Sequence, residues 1–552
     1  MHGDSEAVLF RFSSFQVAGV AWSSTGKCLV AFHGPYLLVR DGVTGIALRH
    51  MECDVKRIEF LKTKLVCLLS DNTLVIESCE GENCGERIGE VRDFVVASDA
   101  IWIHRESDRK NWIEHRTESQ TQKLDWPFEH SRNASISCSP DGQHLLCSIW
   151  ERIDQRNGRM MIASLNAYDE RWSYLLDTVF HLGISAPLLS VAVDNTGCAL
   201  LAFEKIGSTR IWQVSRGNQP FALTNESYEI IEFAISPDGM AVAAIALEAG
   251  HGTLGASNVL LFGRRVQDGW VISNKVIGSF DMLRWRTDGI LCCATASSEG
   301  WSLIAIDPNL AELPSIARCH SHLQNVGEFD LFHIAGPPKS SRSIIIIASP
   351  HRHLRQGPQP LFFQHALYGA GLELARAGMR VVGMNGPGSW GGGEQRRCPP
   401  EPLPVRWAAA FMDAVALLNS QGSDFVGLLA GSLGAFVAVN AIRMKSSFSA
   451  AALVSPILTT PIGNLQKWDD ILRGPDHGTN EGTKLPLFVA YGAADELMQQ
   501  DRVTALLREL SDERGSCGLS LPGEGHIFRD PQSWLTVVDR AVRFFAESAV
   551  AR

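Results

Sequence analysis

A strand–turn–strand unit recurs through the first part of this chain of 552 residues. Its turn glycines are Gly26, Gly142, Gly197, Gly239 and Gly289, in segments such as ISCSPDGQHLLCSI and FAISPDGMAVAAIA. The last three intervals are 55, 42 and 50 residues, the length of one four-stranded propeller blade, and the first interval of 116 has room for two more blades. Residues 1–320 are therefore predicted to form a β-propeller of about seven blades. Six or eight blades also fit this spacing, and unrelated β-hairpins with common turns are the alternative.

From about residue 342 the pattern changes to strands that alternate with helices. Apolar strand-like runs such as SIIIIAS, FVGLLAG and PLFVAYG are separated by helical segments, for example 407–419 and 502–510. Continuous apolar strands are typical of sheets that are buried on both faces, and their alternation with helices favours a doubly wound, mostly parallel sheet. We therefore predict a second domain over residues 321–552, with the segment 316–342 as the join.

One strand–helix junction of this second domain carries a serine between small residues. The segment Ala430–Gly434 has the sequence AGSLG, in which an apolar strand leads into Ser432 and a helix of small residues follows. This is the pattern of a nucleophile elbow, where a sharp turn exposes the serine and directs the next amide towards an oxyanion. The first glycine of the usual G-x-S-x-G pattern is an alanine here. A serine before a helix is also a common N-cap, so the pattern alone leaves both interpretations open.

Two downstream residues favour the nucleophile. Asp495 follows the strand PLFVAYG, and His526 follows LSLPGEG and precedes a helix. The order Ser432, Asp495, His526 is that of the α/β-hydrolase triad, and the gaps of 63 and 31 residues leave room for the intervening elements. Each residue stands at a strand end, where an open α/β sheet presents its functional groups.

Composition excludes several other classes of protein. The chain is 45% hydrophobic and 20% charged, with a formal net charge of −10 and no Lys/Arg block, which argues against nucleic-acid binding. No basic segment followed by an apolar core begins the sequence, and no apolar run reaches membrane-spanning length. Thirteen cysteines without metal-ligand spacing fit reduced thiols, so we expect a cytoplasmic protein that does not bind membranes.

Taken together, these features resemble the prolyl oligopeptidase family of serine peptidases, which combine a β-propeller with an α/β-hydrolase domain. Four segments carry the resemblance: MNGPGSWGGG, AGSLGAF, YGAADELM and GEGHIF. The resemblance implies that Ser432 is the nucleophile, His526 the general base and Asp495 the residue that orients the imidazole. It implies no metal or organic cofactor.

The sequence departs from the family at the oxyanion hole. The family follows its first buried hydrolase strand with His-Gly-Gly-Pro or with a tyrosine, whereas this chain has IIIIASPHRHLRQGP. The resemblance therefore implies one oxyanion donor, the Leu433 amide, and a second from the segment 349–353, with Ser349 and His351 as candidates. Leu433 also replaces a frequent aromatic, which leaves the family's preference for the residue before the scissile bond open.

Two further residues are candidates for substrate binding. Trp390 lies in the glycine-rich loop and is a candidate pocket wall, although a buried aromatic between strand and helix explains it equally well. Arg529 follows His526 and is a candidate for binding a substrate carbonyl or carboxylate; a surface ion pair is the alternative. The Ser–Asp interval is short for the family, so a helix within it is expected to be short or missing.

We predict a serine hydrolase that cleaves an amide bond in a short or constrained peptide, because the family's propeller limits access to the active site. An esterase or acyltransferase that acts on a small molecule or modified peptide is the first alternative. A protein-binding platform with a weak or inactive hydrolase domain is the second. The sequence leaves the oligomeric state open.

Overall fold

The structure of the protein is a computed structural model. It describes residues 7–12, 19–23, 28–33, 36–41, 47–52, 55–78, 85–97, 99–107, 110–129, 134–152, 157–167, 171–181, 188–205, 208–225, 227–248, 258–266, 269–278, 280–286, 288–297, 300–308, 323–326, 329–347, 362–386, 403–444, 447–457, 484–495, 498, 500–512, 516–526, 528 and 530–550.

The first part of the described chain consists of short strands. In chain order they are β1 (Ala7–Phe12), β2 (Gly19–Trp22), β3 (Cys28–His33), β4 (Tyr36–Asp41), β5 (Ala47–Glu52), β6 (Val55–Leu61), β7 (Lys64–Leu69), β8 (Leu74–Ser78), β9 (Glu86–Ile88), β10 (Val91–Ala97), β11 (Ala100–Ser107), β12 (Lys110–Arg116), β13 (Thr121–Asp125), β14 (Ala134–Cys138), β15 (His144–Arg152), β16 (Asn157–Asn166), β17 (Trp172–His181), β18 (Leu188–Val193), β19 (Ala199–Lys205), β20 (Ser208–Val214), β21 (Phe221–Ala222), β22 (Tyr228–Ile235), β23 (Ala241–Glu248), β24 (Asn258–Val266), β25 (Gly269–Gly278), β26 (Phe280–Trp285), β27 (Leu291–Ser297) and β28 (Gly300–Ile306).

These strands form a β-propeller. Within the described residues they make seven four-stranded antiparallel sheets: β2–β5, β6–β9, β10–β13, β14–β17, β18–β21, β22–β25, and β26–β28 completed by β1. The first strands of successive sheets contact one another, and β26 contacts β2, which closes the ring. The last sheet joins the two ends of the propeller segment, because β1 pairs with β28.

Carboxylates connect neighbouring sheets at the inner strands. The first strand of each sheet is an edge strand, so the N–H groups on its free side have no partner within the sheet. In three places a carboxylate oxygen from the preceding inner strand accepts such an N–H: Glu59 from Val96 at 2.8 Å, Asp93 from Ile136 at 3.1 Å and Glu232 from Leu283 at 3.3 Å.

The predicted turn glycines occupy equivalent positions in successive sheets. Gly142, Gly197, Gly239 and Gly289 have φ between 71° and 81°, and each donates its N–H to the carbonyl three residues earlier. Glycine adopts this left-handed conformation at no steric cost, which explains the recurring residue. Gly26 lies outside the described residues.

The second part of the chain is an eight-stranded sheet with helices. Its elements are β29 (Leu323–Val326), β30 (Phe329–Ala335), β31 (Arg342–Ile347), α1 (Phe362–Arg376), β32 (Arg380–Asn385), α2 (Leu403–Ser420), β33 (Phe425–Gly431), α3 (Ser432–Arg443), β34 (Ala450–Val454), β35 (Leu487–Gly492), α4 (Gln500–Leu510), β36 (Cys517–Leu521) and α5 (Pro531–Val550). The strand order is β29-β30-β32-β31-β33-β34-β35-β36. The six strands from β32 to β36 in this order are parallel, and β29 and β30 are antiparallel to their neighbours.

Side chains of the central strands divide between two apolar layers. Ile345 and Ile347 of β31 belong to the layer that contains α2, α3 and α4, whereas Ile344 and Ile346 belong to the layer with α1 and α5. Alternate side chains of a strand point to opposite faces, so this apolar run fills both layers. The predicted doubly wound, mostly parallel sheet is therefore present.

The segment 316–342 was expected to be a join, and this was wrong in part. It contains β29 and β30, which form the antiparallel edge of the second sheet. The propeller strands end at Ile306 and the second sheet begins at Leu323, so the division at residue 320 stays a prediction that falls in the undescribed interval 309–322. None of the helices described is long and apolar enough to cross a membrane.

Candidate active site

Ser432 lies at the junction between β33 and α3. Gly431 is extended, with φ −120° and ψ 148°, and is the N-cap residue of the helix; Ser432 is its first residue. Ser432 has φ 49°, in the left-handed region that costs a non-glycine residue about 1–2 kcal/mol. The serine is therefore a strained residue at the apex of a strand–helix turn, as an elbow requires, and not the N-cap that was the alternative interpretation.

Ser432, His526 and Asp495 form a continuous chain of hydrogen bonds. The distance from Ser432 Oγ to His526 Nε2 is 3.0 Å, and the distance from His526 Nδ1 to Asp495 Oδ2 is 2.9 Å. Both distances are in the ordinary range for hydrogen bonds. With Nδ1 donating to the carboxylate, Nε2 is free to accept the serine proton. The structure thus brings together the three residues that the sequence analysis predicted to act together.

Burial differs along this chain of groups. The Asp495 side chain is fully buried, the His526 side chain is 21% exposed and Ser432 is half-buried. A buried carboxylate beside the imidazole favours one ring orientation and stabilises the imidazolium when it forms. The buried end of these hydrogen-bonded groups is therefore the carboxylate, and the solvent-accessible end is the serine.

Backbone hydrogen bonds hold the loops of the acid and the base together. The N–H of Ala493 donates to Leu521 O and the N–H of Ala494 donates to Glu524 O, both at 2.8 Å. These bonds connect the turn after β35 with the turn after β36. Asp495 and His526 are thus placed by two adjoining turns at the same edge of the sheet.

A second strained serine lies beside the nucleophile. Ser455 follows β34, has φ 44° and is fully buried. Its N–H donates to Ala490 O at 2.8 Å, and the N–H of Ile457 approaches Ser432 O at 3.4 Å. The Ser455 Oγ has no hydrogen-bond partner among the described residues. Sequence analysis did not identify this residue, because a Ser-Pro pair after an apolar strand gives no signal of strain.

The candidate oxyanion and substrate residues are only partly described. Leu433 is the second residue of α3, and its N–H is among the first-turn amides that lack an acceptor within the helix. The candidates Ser349, His351, Trp390 and Arg529 lie outside the described residues and stay predictions. The expectation of a short or missing helix between Ser432 and Asp495 also stays a prediction, because residues 458–483 of that interval are not among those described. In the part of the chain that is described, no three His, Cys, Asp or Glu side chains are placed to hold a metal ion.

Comparison with known proteins gives structural matches only. No family model matches this sequence, and no curated protein matches it. Solved structures match over nearly the whole chain. One from a study of two prolyl endopeptidases has a TM-score of 0.70 at 11% identity and covers 98% of this chain and 90% of the other.

Two further structures match at similar levels. A puromycin-hydrolyzing peptidase of Mycobacterium tuberculosis has a TM-score of 0.64 at 14% identity and covers 98% of each chain. Prolyl oligopeptidase B from Galerina marginata, bound to a 35mer hydrolysis and macrocyclization substrate, has a TM-score of 0.67 at 10% identity and covers 98% of this chain and 90% of the other. Likeness at this identity shows that the chain shares the fold of these proteins.

Proposed function

We propose that this protein is a serine hydrolase of the prolyl oligopeptidase type, which cleaves an amide bond in a short or constrained peptide. The observation that carries the proposal is the hydrogen-bonded chain from Ser432 through His526 to the buried Asp495. A strained serine at a strand–helix turn, within reach of an imidazole that is itself oriented by a carboxylate, is the arrangement needed to activate a hydroxyl nucleophile.

In the proposed reaction His526 Nε2 takes the proton of Ser432 Oγ as that oxygen attacks the substrate carbonyl. The tetrahedral oxyanion accepts a hydrogen bond from the Leu433 N–H, and Asp495 stabilises the imidazolium through Nδ1. His526 then donates its proton to the leaving amine as the acyl-enzyme forms. Water, deprotonated by the same imidazole, attacks the acyl-enzyme and releases the acid and Ser432.

A peptide substrate is supported by the proteins that share the fold. The similar structures are described as prolyl endopeptidases, a puromycin-hydrolyzing peptidase and a prolyl oligopeptidase bound to a 35mer. The α/β-hydrolase identity of the second domain is supported by the nucleophile after β33, the acid after β35 and the base after β36. A propeller joined to this domain favours short or flexible peptides over folded proteins.

An esterase or acyltransferase is the second candidate. The loop after β31 has no tyrosine and no His-Gly-Gly-Pro, so the second oxyanion donor of the family is replaced. Loss of one donor costs about 10²–10³ in rate, and an ester tolerates that loss better than an amide because its leaving group needs less help.

Fluorophosphonate labelling of the purified protein tests the proposal. We expect wild type to be labelled at Ser432 and the variants Ser432→Ala and His526→Ala to remain unlabelled. Ser420→Ala, which removes a serine hydroxyl at the exposed end of α2, is the matched control and should be labelled at the wild-type rate. Panels of short peptides and p-nitrophenyl esters then distinguish a peptidase from an esterase. A folded wild type that neither reacts with the probe nor hydrolyses the esters would favour the protein-binding platform.

A further inference from the structure

We infer that Glu524 is a positioning residue, which holds the turn that carries His526 in register with Asp495. The inference rests on the proposed function, because it concerns the same three residues. Glu524 precedes the histidine by two positions and lies between Gly523 and Gly525. Glycine on both sides leaves this turn with more conformational freedom than any other residue would. A turn of this kind needs an anchor if the imidazole is to stay within hydrogen-bond distance of both partners.

The side chain of Glu524 supplies one anchor. Glu524 is only 4% exposed, and its Oε1 accepts the backbone N–H of Asp530 at 2.9 Å. This bond closes the turn across His526, from a residue before it to a residue after it. A buried carboxylate is costly to desolvate, and the hydrogen bond from the Asp530 N–H offsets part of that cost.

The far end of this bond is itself fixed. Asp530 Oδ1 accepts the N–H of Gln532 at 2.9 Å, which caps the start of α5. Trp534 Nε1 donates to Phe528 O at 3.1 Å, from the first turns of the same helix. The Glu524 carboxylate therefore connects the His526 turn to a helix of 20 residues that packs on the sheet.

The backbone of Glu524 supplies the second anchor. Its carbonyl accepts the N–H of Ala494, the residue before Asp495, at 2.8 Å. The end of β35 also approaches this turn so closely that a Cβ at Gly492 would lie 2.2 Å from Glu524 O. One residue thus binds the acid turn through its main chain and the base turn through its side chain.

Three variants test the inference. Glu524→Ala removes the acceptor of the Asp530 N–H, whereas Glu524→Gln keeps an acceptor oxygen on a side chain of nearly the same size and shape. Glu547→Ala, which removes an exposed glutamate of α5, is the matched control. The two readouts are the second-order rate constant of fluorophosphonate labelling and the hydrogen–deuterium exchange of the peptide that spans 522–530. We expect Glu524→Ala to be labelled about 10–100-fold more slowly, the loss expected for a misplaced catalytic group, with faster exchange in that peptide. Glu524→Gln and Glu547→Ala should stay within about threefold of wild type in labelling, on the same basis.

Each other outcome counts against the inference. A wild-type labelling rate in Glu524→Ala overturns it, and so does slow labelling without faster exchange between 522 and 530. Equal losses of labelling rate in Glu524→Gln and Glu524→Ala overturn the hydrogen-bond argument. The loss would then follow from removal of the charge, which the two variants share, and not from removal of the acceptor oxygen. If wild type is not labelled at all, the proposed function fails, and the exchange of the 522–530 peptide still decides whether Glu524 orders the turn.

Discussion

Gly492 at the end of β35 offers the sharpest perturbation of the candidate site. A Cβ built on Gly492 would lie 2.2 Å from Glu524 O and 2.3 Å from Gly525 O, whereas real Cβ atoms essentially never approach another atom below 3.0 Å. The atoms in conflict are backbone carbonyls, which cannot rotate away as the end of a side chain can. An alanine here must therefore push the two turns apart by at least about 0.8 Å.

That displacement falls on the bond between the acid and the base. His526 follows Gly525 directly, and its Nδ1 lies 2.9 Å from Asp495 Oδ2. A shift of about 0.8 Å that reached the imidazole would lengthen this distance beyond that of a hydrogen bond. We expect Gly492→Ala to lower the labelling rate of Ser432 about 100-fold, as for a 1 Å misplacement of a catalytic group. Overpacking should also lower the free energy of unfolding by about 1–3 kcal/mol.

The assay compares Gly492→Ala with Gly525→Ala. A Cβ at Gly525 would meet nothing within 4 Å, so this variant places the same methyl group in the same pair of turns without a conflict. Fluorophosphonate labelling rates and urea unfolding should therefore change little in Gly525→Ala. Equal effects of the two variants on labelling, or wild-type labelling of Gly492→Ala, would refute the steric argument.

Three further changes have defined outcomes. Asp495→Asn should lower the labelling rate about 10⁴-fold, because an amide in place of the carboxylate favours the wrong His526 tautomer, and wild-type labelling would contradict this role. Ser455→Gly should raise the free energy of unfolding in urea by about 1–2 kcal/mol, because it relieves the left-handed strain and removes a buried hydroxyl that has no partner among the described residues. Ser455→Ala should show only the effect of removing the hydroxyl, and a glycine variant less stable than wild type would refute the strain. Burial lowers the pKa of His104, which stacks on Trp126, below its ordinary value of 6.5. The unfolded chain therefore binds a proton that the folded chain excludes, so the free energy of unfolding should fall as pH falls below about 6.5. His104→Phe should make the free energy of unfolding less dependent on pH in this range, and an unchanged pH dependence would contradict the argument.

The carboxyl edge of the second sheet was predictable because its signals are local. Continuous apolar runs, without the polar alternation of a half-buried strand, identify β33 and β35 as fully buried strands. A candidate side chain follows each of these strands closely. Parallel strands bring their carboxyl ends to one edge, so Ser432, Asp495 and His526 could be grouped without knowledge of a single contact. Their hydrogen bonds in the structure agree with that grouping.

Pairings between distant segments were not predictable in the same way. The strand β1 completes the sheet of β26–β28, although nearly 300 residues separate it from β28. Its sequence, AVLFRF, is that of an ordinary apolar strand and contains no information about its partner. Likewise, β30 pairs antiparallel with β32 across the whole of α1 and β31, so the segment between the domains looked like a linker. Such pairings depend on closing a ring or covering a sheet edge, which are properties of the assembled chain.

Gly492 illustrates where sequence reasoning about a site ends. A glycine after a strand is ordinarily explained by a turn that needs a positive φ, but Gly492 lies outside the left-handed conformations found at Gly142 or Gly523. It is required because two turns, 32 residues apart in sequence, approach until no Cβ fits between them. Residue types therefore identify the chemistry of the site, whereas the distance between base and acid is set by the packing of one backbone on another. The Gly492→Ala and Gly525→Ala pair tests the second reason, because neither glycine has a positive φ and only Gly492→Ala removes space that the active site needs.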